Sequence, residues 1–168
     1  MNARVRRFLD ELDDLGVDAT TTSVDAFAVA LRDRLERPAV GVPIDVPGCT
    51  LADLPVETAP TPADLAAAAT GVTPAAIGVA ATGSVLLADD GGLTEAVSLY
   101  PSRHVVVVPA SGIVAGIADG IDRLAAVAET AGTSGVLATG PSATADMGDL
   151  VVGAHGPAAV DVLVVADR

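Results

Sequence analysis

Residues 105–108 read Val-Val-Val-Val, set between Arg103-His104 and Pro109. Four β-branched residues in succession favour an extended chain. The run has no polar alternation, so neither face is built for water. A strand that is apolar on both faces must be covered on both, as in a parallel sheet flanked by helices. The segments "SGVLATG" (134–140) and "AVDVLVVAD" (159–167) have the same buried character. "AIGVAA" (76–81) and "SVLLAD" (84–89) read as two further strands split by Thr82-Gly83.

Helical patterns alternate with these strands. Over 3–15, Val5, Phe8, Leu9, Leu12 and Leu15 share one face, and Gly16 supplies a stop. "VDATTT" is strand-like; Ser23 then caps a second helix carrying Val24, Phe27, Leu31 and Leu35, closed by Pro38. Short strands are expected near 39–43 and 55–58. Thr61, Pro62 and Asp64 form a capping-box signature for a helix that Gly71 would end. "DDGG" (89–92) is turn chemistry. Ser111 is expected to open a long helix with a stripe of Ile113, Val114, Ile117, Ile121, Leu124 and Ala128. The alternation predicts one α/β domain over 1–168 with a mainly parallel central sheet flanked by helices, residues 1–40 forming a helical N-terminal part.

Composition narrows the function. Of 168 residues, 51% are hydrophobic, yet the only aromatic residues are Phe8, Phe27 and Tyr100. That leaves no stacking platform for a single-stranded nucleic acid. Twenty-two acidic residues face nine basic ones, all Arg, for a net charge of −13. Such a surface repels nucleic acid and anionic lipid. Acid-rich, Lys-free composition resembles that of cytoplasmic proteins from halophilic archaea. The lone Cys49 forbids an internal disulfide and a self-contained iron–sulfur cluster. With a charged N-terminal segment and no apolar run near 20 residues, a cytoplasmic location without membrane insertion is expected.

"ATGPSATADMGDLVVGAHGP" (138–157) carries the densest polar chemistry. It begins where a strand ends, and in open α/β sheets ligands collect at the strands' carboxyl ends. Gly140 lets the chain turn; Ser142 and Thr144 offer hydroxyls for an anion such as a phosphate or carboxylate. Gly153 and Gly156 allow close backbone approach, and His155 between them is placed to exchange a proton near neutral pH. Asp146 would fix the loop or orient His155. Thr82, Gly83 and Ser84 are a second small, polar turn suited to line the same pocket. The plainer readings are a capped turn at Ser142 or Thr144, a His155 bonded within its own loop, and a tight β-turn at 82–84. No P-loop, serine elbow or dinucleotide fingerprint occurs. With two histidines, His104 and His155, and no paired spacing, no metal site is expected.

The stretch "ATGPSATADMGDLVVGAHGPAAVDVLVV", with "ATGSVLL" and "SLYPSRHVVVV" before it in the same order, resembles the signature of the LUD-domain family of LutC/YkgG type. Specific motifs cover about residues 60–168; over 1–59 the likeness is one of layout. The resemblance implies a fold similar to the NagB/RpiA/CoA-transferase group. It also implies a part in the oxidation of lactate to pyruvate beside iron–sulfur subunits, with no cofactor bound by this chain alone. Three charged positions usual in the family are replaced: Ala143 stands where an Arg follows the GPS serine, Ala81 where a Glu precedes the TG, and Thr94 and Glu95 stand near the place of an Arg that the family carries just upstream of its SLLP-like segment. Losing an Arg fork weakens any hold on a small anion.

The expected function is therefore a LutC-like accessory subunit of organic-acid oxidation, with His155 and Asp146 as candidate catalytic groups. Thr82, Gly83, Ser84, Gly140, Ser142, Thr144, Gly153 and Gly156 are the candidate ligand-binding residues, and a small anionic metabolite is the candidate ligand. A stand-alone metabolite-binding protein or enzyme of the same fold, and a purely structural subunit, are the alternatives.

Overall fold

The computed structural model describes residues 2–89, 92–131, 134–146 and 149–168. Its centre is a five-stranded parallel sheet in the order β1-β11-β6-β3-β2. The strands are β1 (Asp18–Thr22), β2 (Ala39–Gly41), β3 (Thr70–Pro74), β6 (Arg103–Pro109) and β11 (Ala159–Val165). A second, four-stranded sheet joins β4 (Ile77–Val79), β5 (Ser84–Asp89), β7 (Ile113–Val114) and β8 (Ser134–Thr139) in the order β7-β4-β5-β8. In it β5 runs antiparallel to both β4 and β8. A separate antiparallel hairpin pairs β9 (Ala143–Asp146) with β10 (Asp149–Val152).

The four-valine run explains the layering. Val106 and Val108, with Val162 and Val164 of the neighbouring β11, pack against the second sheet and against helix α1 (Ala3–Asp14). Val105 and Val107, with Leu163 and Val165, pack on the opposite side against helix α2 (Phe27–Arg32) and the segment carrying Val46, Cys49, Leu51 and Leu54. Alternate valines thus enter different cores, and all four are fully buried. Each contributes about 1.5–3 kcal/mol of burial free energy.

Local signals set most element ends. Asn2 caps α1 by accepting from the Arg4 N–H; Val5, Phe8 and Leu12 are its buried face, and Gly16 follows at φ 70°. Helix α3 (Pro62–Ala67) carries the full Thr61–Asp64 capping box. It stops before Gly71, which instead lies in β3. A Cβ on Gly71 would fall 2.0 Å from the Val97 carbonyl oxygen, so only glycine lets helix α4 (Thr94–Leu99) press onto that strand.

Two other expectations change. Ser111 lies in a 3-10 turn, Ile113 and Val114 form β7, and helix α5 (Ile117–Ala131) begins only after Gly116. Ile113 enters the core, while Ile117 and Ile121 remain exposed. The first forty residues are not helical alone. They supply β1, which pairs with β11, and α1, whose Phe8 is fully buried in the main core. Residues 90 and 91 of the expected "DDGG" turn and the Ala128 side chain lie outside the described residues. Among the described residues no helix is long and apolar enough to cross a membrane.

Candidate functional site

Two turns meet at the end of α1. Gly83, at φ 60°, lies so close that a Cβ there would sit 2.9 Å from the Leu15 side chain and 3.2 Å from the Glu11 backbone. Gly140, at φ 67°, approaches the same Leu15. Between the turns the register places Ser84 opposite Thr139. Their hydroxyls are 2.7 Å apart, and Thr82 Oγ1 lies 2.7 Å from Ser84 Oγ. Thr82, Ser84 and Thr139 therefore form a chain of hydroxyls across β5 and β8, with Ser84 buried.

Ser142 is held by its backbone. Its N–H donates to the Pro157 carbonyl at 3.0 Å, and its own carbonyl accepts from the Gly153 N–H at 2.8 Å. The Gly156 backbone lies against the Ser142 side chain, where an added Cβ would come within 3.0 Å of Ser142 Cβ. Gly153 takes φ 80°, with Ala158 filling the space a side chain would need. Thr144 lies in β9 opposite Val151 and is half-buried. Asp146 ends β9, and its side chain lies outside the described residues.

Ser142 and His155 are drawn near one another but line different hollows. Ser142, Gly83, Gly140 and Pro157 line a cavity of about 220 Å³ between the two sheets. His155 is exposed and lines an open hollow of about 330 Å³ with Tyr100, Gly153 and Gly156. Leu99 contributes to both. The carboxyl-end rule does not reach this region. Strand β8 belongs to the sheet with antiparallel pairing, and the 153–157 loop leads into the N-terminal end of β11.

The structure adds a residue that sequence reasoning left without a role. His104 is 3% exposed and lines the inter-sheet cavity; its Nε2 lies 2.8 Å from Thr73 Oγ1. Burial pushes its pKa down to about 4, so the imidazole is neutral at physiological pH. The available signal was parity: His104 stands two residues before Val106 and so shares its face. Arg103, next to it, points elsewhere and pairs with the buried Asp161 and with Glu36.

A third hollow, about 700 Å³, does lie at the carboxyl ends of β3 and β6, where Asp45, Thr58, Pro74, Thr94 and Pro109 line it. Among the described residues no Arg lines these three hollows, whereas a fourth, of about 420 Å³, is lined by Arg4 and Arg123 together with Asp119 and Asp122. Among the described residues no group of three or more His, Cys, Asp or Glu is disposed to hold a metal. Burial raises the pKa of the Cys49 thiol, which keeps it protonated and poorly nucleophilic.

Comparison with known proteins gives a consistent result. A family model described as the LUD domain matches residues 48–165. Over 90 residues the chain is 38% identical to lactate utilization protein C of Macrococcus caseolyticus (strain JCSC5402), covering 51% of this chain and 39% of that protein. Over the same length it is 36% identical to lactate utilization protein C of Bacillus subtilis (strain 168), covering 51% and 38%. The chain thus spans about two fifths of the length of the curated relatives it matches. A crystal structure of a DUF162 family protein from Deinococcus radiodurans, at 1.70 Å resolution, superposes with a TM-score of 0.73 at 25% identity, covering 96% of each chain.

Proposed function

Because the chain belongs to the LUD-domain family, we propose that it serves as a LutC-like accessory subunit in the oxidation of lactate to pyruvate, beside partner proteins that carry iron–sulfur clusters. Two relatives bearing the name lactate utilization protein C support the lactate half of this reading. A chain with one cysteine cannot supply the thiolates of a four-cysteine cluster, so electron transfer through such clusters falls to partners.

The observation that carries the assembly half is the β9–β10 hairpin. Every β10 residue is exposed, Leu150 to 71%, and among the described residues the hairpin pairs with neither of the two sheets. An isolated two-stranded hairpin is marginal in water, and exposed apolar side chains on it favour contact with another protein. Beside this, three of the hollows lack an Arg, and the one lined by Arg4 and Arg123 also carries Asp119 and Asp122, which repel a lactate carboxylate. The role assigned is therefore to hold the assembly together, with His155 as a polar tip at its surface.

Deleting the gene in its host tests the reading. Loss of growth on lactate, with growth on pyruvate kept, is the expected result. Unchanged growth on lactate overturns it. The two hollows of about 220 and 700 Å³ favour a second reading, a stand-alone metabolite-binding protein of the same fold. That reading predicts growth defects that do not follow the carbon source.

A further inference from the structure

We propose that the cavity between the two sheets is a binding site for a small neutral molecule, with a short hydrocarbon body and one hydroxyl or carbonyl group that meets His104. This goes beyond the role in lactate oxidation and does not depend on it. Protein interiors are close-packed and seldom leave voids larger than a water molecule. Here about 220 Å³ is open between Val106 and Val162 of the central sheet and Val85, Leu87 and Ala138 of the second. Such walls offer water few hydrogen bonds, and apolar cavities of this kind take up apolar guests instead. One of about 150 Å³ accepts benzene, so this one has room for roughly six to nine non-hydrogen atoms.

Four polar side chains line the cavity, Ser98, His104, Thr139 and Ser142, and the Thr139 hydroxyl lies 2.7 Å from Ser84 Oγ. Ser98 and His104 are each 3% exposed. The Ser98 hydroxyl donates to the Glu95 carbonyl at 2.7 Å and is committed to its own helix. The His104 ring is fixed through Nε2 by Thr73, so Nδ1 is its remaining polar atom. A hydroxyl on the guest suits either tautomer, since it both donates and accepts. Charge is excluded by the same walls. With no Arg in the lining and an imidazole that burial keeps neutral, a carboxylate would be buried without a counter-charge. Leu99 and Val136, 40% and 37% exposed, mark where the cavity meets solvent. Gly140 and Ser142 of the 138–157 stretch also line it.

The test is an NMR titration of the full chain at pH 7.5 in high salt, with n-butanol and, separately, with butyrate. Expected are saturable shifts of the Val106 and Val162 methyl signals with butanol, and at least tenfold weaker binding of butyrate. Ala138→Leu, which fills the cavity from the edge strand, should weaken butanol binding at least tenfold while the protein stays folded. If that variant does not fold, Val160→Phe makes the same test from the central sheet. Absence of saturable shifts, butyrate binding as tight as butanol, or butanol binding unchanged by a folded filling variant would each overturn the proposal.

Discussion

His104 is the residue whose burial has the clearest consequence in solution. Its pKa is about 4 in the folded protein, against about 6.5 for an exposed histidine. As pH falls the unfolded chain takes up the proton first. The stability contributed by the neutral, buried ring is complete above about pH 7 and is lost between about pH 6.5 and 4. From pH 7.5 to 4.5 that loss is about 2–3 kcal/mol. Urea midpoints at those two pH values should therefore fall further for the native protein than for His104→Asn; equal losses would contradict the assignment. Two glycines make a second comparison. Gly153→Ala meets Ala158 at a positive φ and should cost about 1–3 kcal/mol, whereas Gly116→Ala meets nothing within 4 Å and should leave stability unchanged. At Gly153 the backbone comes close to Ala158. The sequence left His104 unread, because a lone histidine in an apolar run is indistinguishable from packing until its neighbour strand is known.

At the scale of elements, the charged pair at the start of β6 and β11 is the main clamp. Asp161 is buried and its carboxylate accepts from Arg103, which also binds Glu36. Arg103→Met strands a buried carboxylate and should cost about 3–5 kcal/mol, while Arg103→Met with Asp161→Leu should recover most of it. A chemical-unfolding cycle on the single and double variants measures this. The β9–β10 hairpin has the opposite character. Leu150→Glu and Val152→Glu should leave the thermal midpoint unchanged and weaken co-purification with partner proteins, because those side chains are exposed. Strand β3 shows why some elements were illegible. "TGVTP" has one large apolar residue, yet Thr70 and Thr73 are fully buried because the Glu36 N–H and His104 bond their hydroxyls. Tertiary partners, not local pattern, turn that segment into a central strand. The six residues of α4 are too few to show a helical period.

The whole molecule was legible where burial on two faces wrote itself into the chain. The run at 105–108 required a covered parallel sheet, and the sheet is there with a core on each side. The second sheet was not foreseen, since its antiparallel pairing depends on which edge each strand meets. A net charge of −13 acts over the whole surface. Raising salt from 0.1 to 1 M shortens the screening length from about 10 to 3 Å and should raise the thermal midpoint, the half-buried Arg103–Asp161 pair contributing little to that change. A flat salt profile would contradict self-repulsion as a governing term.

The role in assembly is tested most directly by capture of the tagged full chain from its host in high salt, during growth on lactate. The account predicts that Cys-rich, cluster-bearing proteins come down in fixed stoichiometry and that the captured assembly oxidises lactate. Recovery of the chain alone, with lactate oxidation left wholly in the unbound fraction, would contradict it.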